Sequence, residues 1–379
     1  MMPCLTSDIV FRAFSLYFKY KKYLSKQLTP NFILFNLQLD GATYHATVNT
    51  SCGGVGRNIA EGIWKIFGNV NLITAVGDDQ NGDYIKRLLP NHCGASILTA
   101  GDHPTASCSV LLDNRGDCKL VVGDMSVHSA ITAEWINSHD KLIRETPLVI
   151  MDANISVEAM RATFELCLQY DKPVFFEPTD MRFAAKPFAA SDSAFKVIRF
   201  VTPNLYELRE MARHLGYQEP LANTLVENFS ELDDLLREVR SLGTFVVNHV
   251  DNVIVTLGNY GVAVVRRSCE HTPFFDSRGA YQRRTGDTPQ VRFYPGRKLD
   301  YIVNVSGAGD SFSSGFISAM LEGQMEPVCV EVGFEAACCA LGSKGAVADL
   351  YFDRSHACWD KEKGARFITV EKTEPFVLE

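Results

Sequence analysis

With 379 residues, 46% of them hydrophobic and 22% charged, the chain has a globular composition, which excludes a disordered, collagenous or small disulfide-bonded protein. Its 37 basic and 45 acidic residues leave a net charge of −8, so no overall basic field favours a nucleic-acid backbone or an anionic membrane, and any phosphate site must be built locally. The eleven cysteines are scattered, with no CxxC or Cys/His spacing, which argues for a reducing compartment and against structural zinc.

No apolar run reaches the roughly 18–20 residues of a membrane helix, and the best early stretch, 9–18, is broken by Arg12. Residues 1–28 set Arg12, Lys19, Lys21, Lys22 and Lys26 against one acid, Asp8, a composition loosely compatible with a mitochondrial presequence; otherwise a cytoplasmic location is expected. Strand-like and helix-like segments then alternate, the pattern of a parallel sheet with crossover helices. Val55, Ile59, Ile63 and Phe67 recur at helical spacing, and 70–76 (VNLITAV) reads as a strand. Residues 83–89 suggest a further helix, and 105–123 read as a hairpin turning at Asn114, Arg115 and Gly116. Short apolar strands are expected at 148–151, 174–176, 197–201, 253–257 and 262–265, with helices at 157–170 and 205–215. Residues 266–298 hold eight basic residues and three prolines and read as a long loop, either a binding loop or a solvated insertion. Helical spacing returns at 312–320 and 328–341.

The sharpest motif is NVSGAGDSF, residues 304–312, a β-prone run meeting a Gly-rich turn that opens a helix. Gly307, Ala308 and Gly309 let backbone N–H groups converge at a helix N-terminus, where unpaired donors and the dipole favour an anion. Asp310 beside a bound phosphoryl group would accept the proton of an attacking hydroxyl; it would equally serve to stabilise the first helical turn. The second motif, GGVGRN at 53–58, places Gly53 and Gly54 where a ligand approaches backbone closely. Asn58 there offers a donor and an acceptor to sugar hydroxyls, or else caps the helix. The GxxxxGK[ST] spacing of a Walker loop and the GxGxxG of a dinucleotide fold are both missing from this segment.

Taken together and in order, GGVGRNIAEG, VGDDQNGDYI, VTPNLYELREM, VTLGNYGV and VSGAGDSFSSGF make the chain similar to the ribokinase-like (phosphofructokinase-B type) family of carbohydrate and nucleoside kinases, over about residues 38–350. The resemblance implies an α/β fold, a three-layer α/β/α sandwich with a mostly parallel central sheet, and a small β-sheet lid from about 38–52 and 105–123. Residues 351–379 would be a C-terminal tail. It implies Asp310 as catalytic base and the amides of Gly307, Ala308 and Gly309 as an anion hole for the transferring phosphoryl group. Asn204 and Glu207 of the PNxxE motif would organise Mg²⁺ through water, while Thr256, Gly258 and Gly261 of the TLGxxG motif would line the ATP site. Gly53, Gly54 and Asn58 would grip the sugar, and the 266–298 insertion would fall where family members wrap the nucleotide. A monovalent cation, a homodimer and a functional link to a pseudouridine-5′-phosphate glycosidase are open implications, with a small-molecule substrate and neither nucleic acid nor membrane as partner.

Within the family, the stretches 39–61, 111–125, 151–155 (MDANI) and 175–181 (FFEPTDM) look most like pseudouridine kinases, and ribose, adenosine or another nucleoside are the other substrates expected. One departure matters. Family members begin with a central strand ending in a GxxxxD-like turn whose Asp binds substrate hydroxyls, and residues 18–31 (FKYKKYLSKQLTPN) have neither. Residues 1–37 therefore read as an atypical segment lacking the first strand. Asp40 is the remaining substrate-side candidate, and an impaired, kinase-fold binding protein or defective isoform stands as the reading from another class.

Overall fold

The structure is a computed structural model that describes residues 9–12, 17–24, 46–89, 94–112, 118–219, 221, 225–226, 229, 231–283 and 286–371. Runs of β-branched and aromatic residues form fourteen strands among them: β1 Ile9–Arg12, β2 Tyr17–Leu24, β3 Ala46–Gly53, β4 Val70–Gly77, β5 Gly94–Ala100, β6 Ser107–Leu112, β7 Cys118–Asp124, β8 Val149–Asp152, β9 Val174–Glu177, β10 Ile198–Val201, β11 Asn252–Thr256, β12 Gly261–Arg266, β13 Gln290–Pro295 and β14 Ile368–Thr369. Ten of them form one sheet in the order β14-β13-β12-β11-β10-β9-β8-β1-β4-β5. Pairing is parallel from β5 to β11 and antiparallel from β11 to β14.

The central strands are apolar at nearly every position because both faces of the sheet are covered. Val149 and Met151 of β8, Val174 and Phe176 of β9, and Val253 and Val255 of β11 join one core with the helices Val157–Gln169, Leu205–His214 and Leu232–Val246. Their alternates Ile150, Phe175 and Ile254 point the other way, into a second core with the helices Val55–Ile66, Ala308–Leu321 and Glu326–Leu341. This period-2 division of each strand between two helical layers is the expected three-layer α/β/α sandwich. No helix among the described residues is long and apolar enough to cross a membrane.

The remaining strands form a second, four-stranded sheet, β3-β2-β6-β7. The expected hairpin is β6 and β7, paired antiparallel. Two expectations for the N-terminal segment are corrected. Ile9–Arg12 occupies the place where the sequence suggested a lost strand, parallel to β4 on one side and β8 on the other. Tyr17–Leu24 forms β2, antiparallel to β3 and parallel to β6, so the small sheet takes in a strand from outside the expected lid segments.

The 266–298 segment also differs from expectation. Because β12 runs antiparallel to its parallel neighbour β11, the chain leaving Arg266 emerges beside the N-terminal end of β11, at the opposite end from the TLGxxG turn. There Tyr281 Oη donates to Asp251 Oδ2 (3.0 Å), and Asn252 Nδ2 donates to Tyr281 Oη (3.0 Å). The last part of the segment is a strand, β13, which runs back to the other end, where Pro295 pairs with Gly261 and Gly296 N donates to Tyr260 O (2.7 Å) beside the TLGxxG turn, so the expectation is overturned only for the residues before β13. Residues 351–371 are packed onto the body, with Cys358 and Trp359 in the second core and β14 paired to β13.

A buried ion cluster ties these parts together. Glu326, fully buried at the start of its helix, accepts from Arg292 Nε (2.6 Å) and Arg292 Nη2 (2.7 Å) and from Tyr294 Oη (2.8 Å), with Arg266 Nη1 at 3.5 Å. The Arg266 guanidinium lies 4.0 Å from the Phe274 ring centroid and donates to Thr272 O (3.0 Å), which anchors the insertion. Removing the one anion leaves two buried guanidinium groups uncompensated. Glu326→Ala is therefore expected to cost about 3–5 kcal/mol in urea unfolding, against under about 1 kcal/mol for the exposed pair partner Asp234→Ala. Equal losses in the two variants would contradict this account of the cluster.

Candidate active site

The loop before the Val55–Ile66 helix needs glycine: Gly54 is the N-cap with φ 103°, a left-handed backbone that side chains disfavour. Gly53 ends β3, so the small sheet runs directly into this helix. Asn58 lies inside the helix, 4% exposed, and does not cap it; its amide N–H donates to Gly54 O (2.8 Å). Its side chain reaches across the fold, Nδ2 donating to Asp310 Oδ2 at 2.6 Å. Arg57 Nη1 donates in turn to Asn58 Oδ1 (3.0 Å), which fixes the orientation of the amide, and Arg57 itself is ion-paired to Glu61. Two motifs separated by 252 positions in the sequence thus meet through one charge-assisted hydrogen bond.

Asp310 is the third residue of the Ala308–Leu321 helix. Gly307 caps that helix in the left-handed region, φ 82° and ψ 2°, and a Cβ there would come within 1.9 Å of Ala346 O. No other residue fits that turn. A Cβ on Gly309 would meet nothing within 4 Å, so open space lies over the first helical turn, whose amide N–H groups lack helical acceptors. Ser311 Oγ and Tyr351 Oη lie 2.8 Å apart, and Ser314 Oγ donates to Asp310 O (2.8 Å), which holds the turn from its buried side.

Asn204 and Glu207 form a capping box at the start of the Leu205–His214 helix: Glu207 N donates to Asn204 Oδ1 (3.0 Å) and Asn204 N donates to Glu207 Oε2 (2.8 Å). Asn204 also forms a parallel bridge with Thr256, whose N–H donates to Pro203 O (3.0 Å), so the PNxxE and TLGxxG motifs lie side by side. Gly258 has φ +60° with no atom within 4 Å of a built Cβ. Gly261 has φ +125°, and a Cβ there would come within 2.1 Å of Tyr294 O, so this turn also requires glycine. Asp40 lies outside the described residues.

Beside Glu207 the structure adds two acids that the motif reading did not single out, Glu177 and Asp152. Glu177 ends β9 half-buried, accepts from the Thr202 hydroxyl, and its carboxyl is pushed well above the usual range by burial and then by the charge of Glu207, with Asp310 adding to the effect. Glu207 is pushed up to about 7, by burial first, with Asp180 and Asp310 contributing against the hydrogen bonds from Asn204. Asp152 ends β8, is paired in register with Glu177, and is raised to about 6 by burial, against hydrogen bonds from Asn154 N (3.0 Å) and Gly56 N and the charge of Lys186. The signal for these acids was a carboxylate at the last position of a buried strand, in VIMD and VFFE, the end of a parallel sheet where ligands bind.

A carboxyl raised in the folded state binds more protons than in the unfolded chain, so its contribution to stability falls as pH rises through the gap between the two values. For Asp152 that gap runs from about 4 to about 6. Asp152→Asn keeps an acceptor for Asn154 and Gly56 and removes the titration, so the melting temperature of the variant relative to the parent is expected to rise between pH 4 and pH 7. A difference that stays flat across this range in differential scanning fluorimetry would remove Asp152 from that role.

Comparison with known proteins places this geometry. Residues 32–351 match the pfkB family of carbohydrate kinases. The pseudouridine kinase of Escherichia coli K12 is 24% identical over 300 residues, covering 76% of this chain and 79% of its own. That of Arabidopsis thaliana is 29% identical over 228 residues, covering 59% of this chain and 58% of its own. Among solved structures, Arabidopsis thaliana ribokinase complexed with ribose and ATP aligns over 90% of this chain and 96% of its own with a TM-score of 0.65 at 18% identity. Ribokinase of Cryptococcus neoformans in complex with ADP gives a TM-score of 0.66 at 17% identity over 91% of this chain and 97% of its own. A glycine-capped helix presenting an aspartate to an asparagine from the first crossover helix, on the expected sandwich and with a family match over most of the length, makes the chain a member of the pfkB family of carbohydrate kinases.

Proposed function

We propose that the chain is an ATP-dependent kinase that phosphorylates the 5′-hydroxyl of pseudouridine, giving pseudouridine 5′-phosphate and ADP. The observation that carries the reading is the hydrogen bond from Asn58 to Asp310 at the mouth of a glycine-capped helix N-terminus. In the proposed reaction the hydroxyl oxygen attacks the γ-phosphorus, the bond to the ADP oxygen breaks, and the hydroxyl proton passes to Asp310. The amides of Gly307, Ala308 and Gly309 face the charge on the transferring group, where preorganised donors lower the barrier most. Asn58 holds the Asp310 carboxylate in one orientation and, with Gly53 and Gly54, forms the wall against the sugar.

The residues present suit ATP with Mg²⁺. Open space over Gly258 and Gly309 admits a polyphosphate close to backbone, with Thr256, Gly258 and Gly261 on the nucleotide side. The charges of Glu207 and Asp310 raise the proton affinity of Glu177, a repulsion that an oxygen-seeking cation relieves. Asn204 and Glu207, held together by their capping box, would hold Mg²⁺ through water. Mg²⁺ would supply neutralisation of the phosphate oxygens.

Pseudouridine is favoured over other acceptors by the two relatives named pseudouridine kinase. Ribose and purine nucleosides are the alternatives, since an Arabidopsis thaliana ribokinase (24% identical over 323 residues) and a guanosine-inosine kinase (19% over 294 residues) are also similar. A second reading, a catalytically impaired nucleoside-binding protein, is favoured by one observation: residues 9–39 contain no Asp, Glu or Gly, so the segment around β1 has no GxxxxD-like turn.

The test is ADP release with Mg-ATP across pseudouridine, uridine, adenosine and ribose. Activity is expected on pseudouridine first, and Asp310→Asn is expected to lower kcat by roughly 10²–10⁴-fold with nucleotide affinity nearly unchanged. Silence on all four acceptors, with nucleoside still raising the melting temperature, would replace this reading with the binding protein.

A further inference from the structure

The parallel strands have two ends, and the candidate active site uses only one. At the other lies a cavity of about 330 Å³, below Pro147, Pro173 and Val197, the residues that lead into β8, β9 and β10. One side of it is formed by Arg278, Gly279, Ala280, Tyr281 and Arg283 of the insertion that sequence reading had expected over the nucleotide. Strands of four residues separate it from the acids at their other ends by about 13 Å.

In a chain of net charge −8, this cavity is lined by five cations, Lys172, Lys196, Arg199, Arg278 and Arg283, and by one carboxylate, Asp171. The existing ion pairs leave positive charge over. Arg199 meets Asp251 (3.4 Å), Arg278 meets Asp276 (3.3 Å) and Arg283 meets Asp171 (3.2 Å); the guanidinium groups of the last two pairs are exposed, so water and salt weaken them. Lys172 and Lys196 form no ion pair among the described residues, although Lys172 is half-buried and its ammonium loses affinity for its proton through that burial. Two ammonium groups without an ion pair, Lys172 under only the more distant charge of Asp171, and two exchangeable guanidinium forks around one hollow are the donor set for a phosphoryl group. The proline walls and the Tyr281 ring provide apolar surface beyond what a bare anion needs, and the volume reaches the lower range of small-molecule sites.

We propose that this cavity binds an organic phosphate, a phosphoryl group carried on a compact scaffold of nucleotide or sugar size, at a site separate from the one where phosphoryl transfer is placed. The proposal does not rest on the substrate assigned above. Its occupant joins the insertion to the leading ends of β8, β9 and β10 through charges that the protein alone leaves unneutralised.

The experiment is calorimetric titration of the full chain with uridine 5′-monophosphate and, separately, with inorganic phosphate, each with a nonhydrolysable ATP analogue present in excess. Uridine 5′-monophosphate is expected to bind with a Kd below about 1 mM and to weaken with salt. The Lys172→Glu/Lys196→Glu double variant is expected to weaken it about tenfold or more, with the KM for ATP unchanged within about twofold. The Lys172→Met/Lys196→Met pair removes the charges without reversing them and is expected to show the same loss should the first pair fail to fold. Inorganic phosphate is expected to bind more weakly and to lose affinity in the same variants. No binding of uridine 5′-monophosphate at about 1 mM, or equal affinity in parent and variants, would overturn the proposal. Phosphate binding as tightly as the nucleotide would overturn the organic part of it.

Discussion

Negative charge gathered at one edge of the main sheet is the constraint on which the rest of the site depends. Asp152 and Glu177 are delivered there side by side by strand register, and Glu207 and Asp310 raise the proton affinity of Glu177. Burying ionised carboxylates is costly unless each is bonded or paired. The neighbourhood supplies dipoles in place of cations: Thr202 for Glu177, the Asn204 amide for Glu207, the Asn58 side chain for Asp310 and the Asn154 amide for Asp152. The nearby cations form no ion pair with these acids: Arg57 is paired to Glu61 and the Lys186 ammonium bonds the carbonyls of Ala153 and Ile155, acting on Asp152 only through its charge. The upward shift of the carboxyl groups is the electrostatic debt that remains, and a ligand bringing positive charge relieves it.

Topology explains why these groups coincide. In a parallel sheet every strand ends at the same edge, so the last residues of β8, β9 and β11 and the helix starts that follow are brought into one region without any long-range device. The same rule collects the leading ends of the strands at the opposite edge, where the lining of the second cavity is predominantly basic. Polarity along the strand axis therefore follows from chain direction, and the antiparallel return of β12 is what carries the arginine-bearing insertion from the acidic edge to the basic one.

Much of this was legible in the sequence. The helices at Val55–Ile66, Val157–Gln169, Leu205–His214, Ala308–Leu321 and Glu326–Leu341 and the strands β4, β8, β9, β10, β11 and β12 lie where apolar periodicity and turn residues put them, because each is long or apolar enough for local pattern to dominate. Gly307 was legible as a turn position, and Gly54 and Gly261 only as glycines on the ligand side; the structure adds a left-handed backbone at all three and an approaching carbonyl at 261 and 307. What local pattern could not carry was partnership. β1 is four residues long and acquires meaning only from two neighbours far along the chain, and β2 reads as a basic tract until β3 and β6 flank it. Asn58 was open between ligand and cap because its partner, Asp310, is 252 residues away. Glu177 stood in plain view in FFEP, but its significance depends on the helix that brings Glu207 beside it.

The central position of β1 also sets an order of events during synthesis. The strand leaves the ribosome first, yet one partner, β4, begins at residue 70 and the other, β8, at residue 149. At about 5–20 residues per second, the slot between them is complete only ~7–30 s after Arg12 has been made. Throughout that interval β1 and the facing edge of β4 expose unpaired backbone groups, the template on which chains pair with one another. The short, arginine-terminated sequence IVFR limits that exposure to four residues, so the strand that completes the sheet offers little length to a foreign edge while it waits.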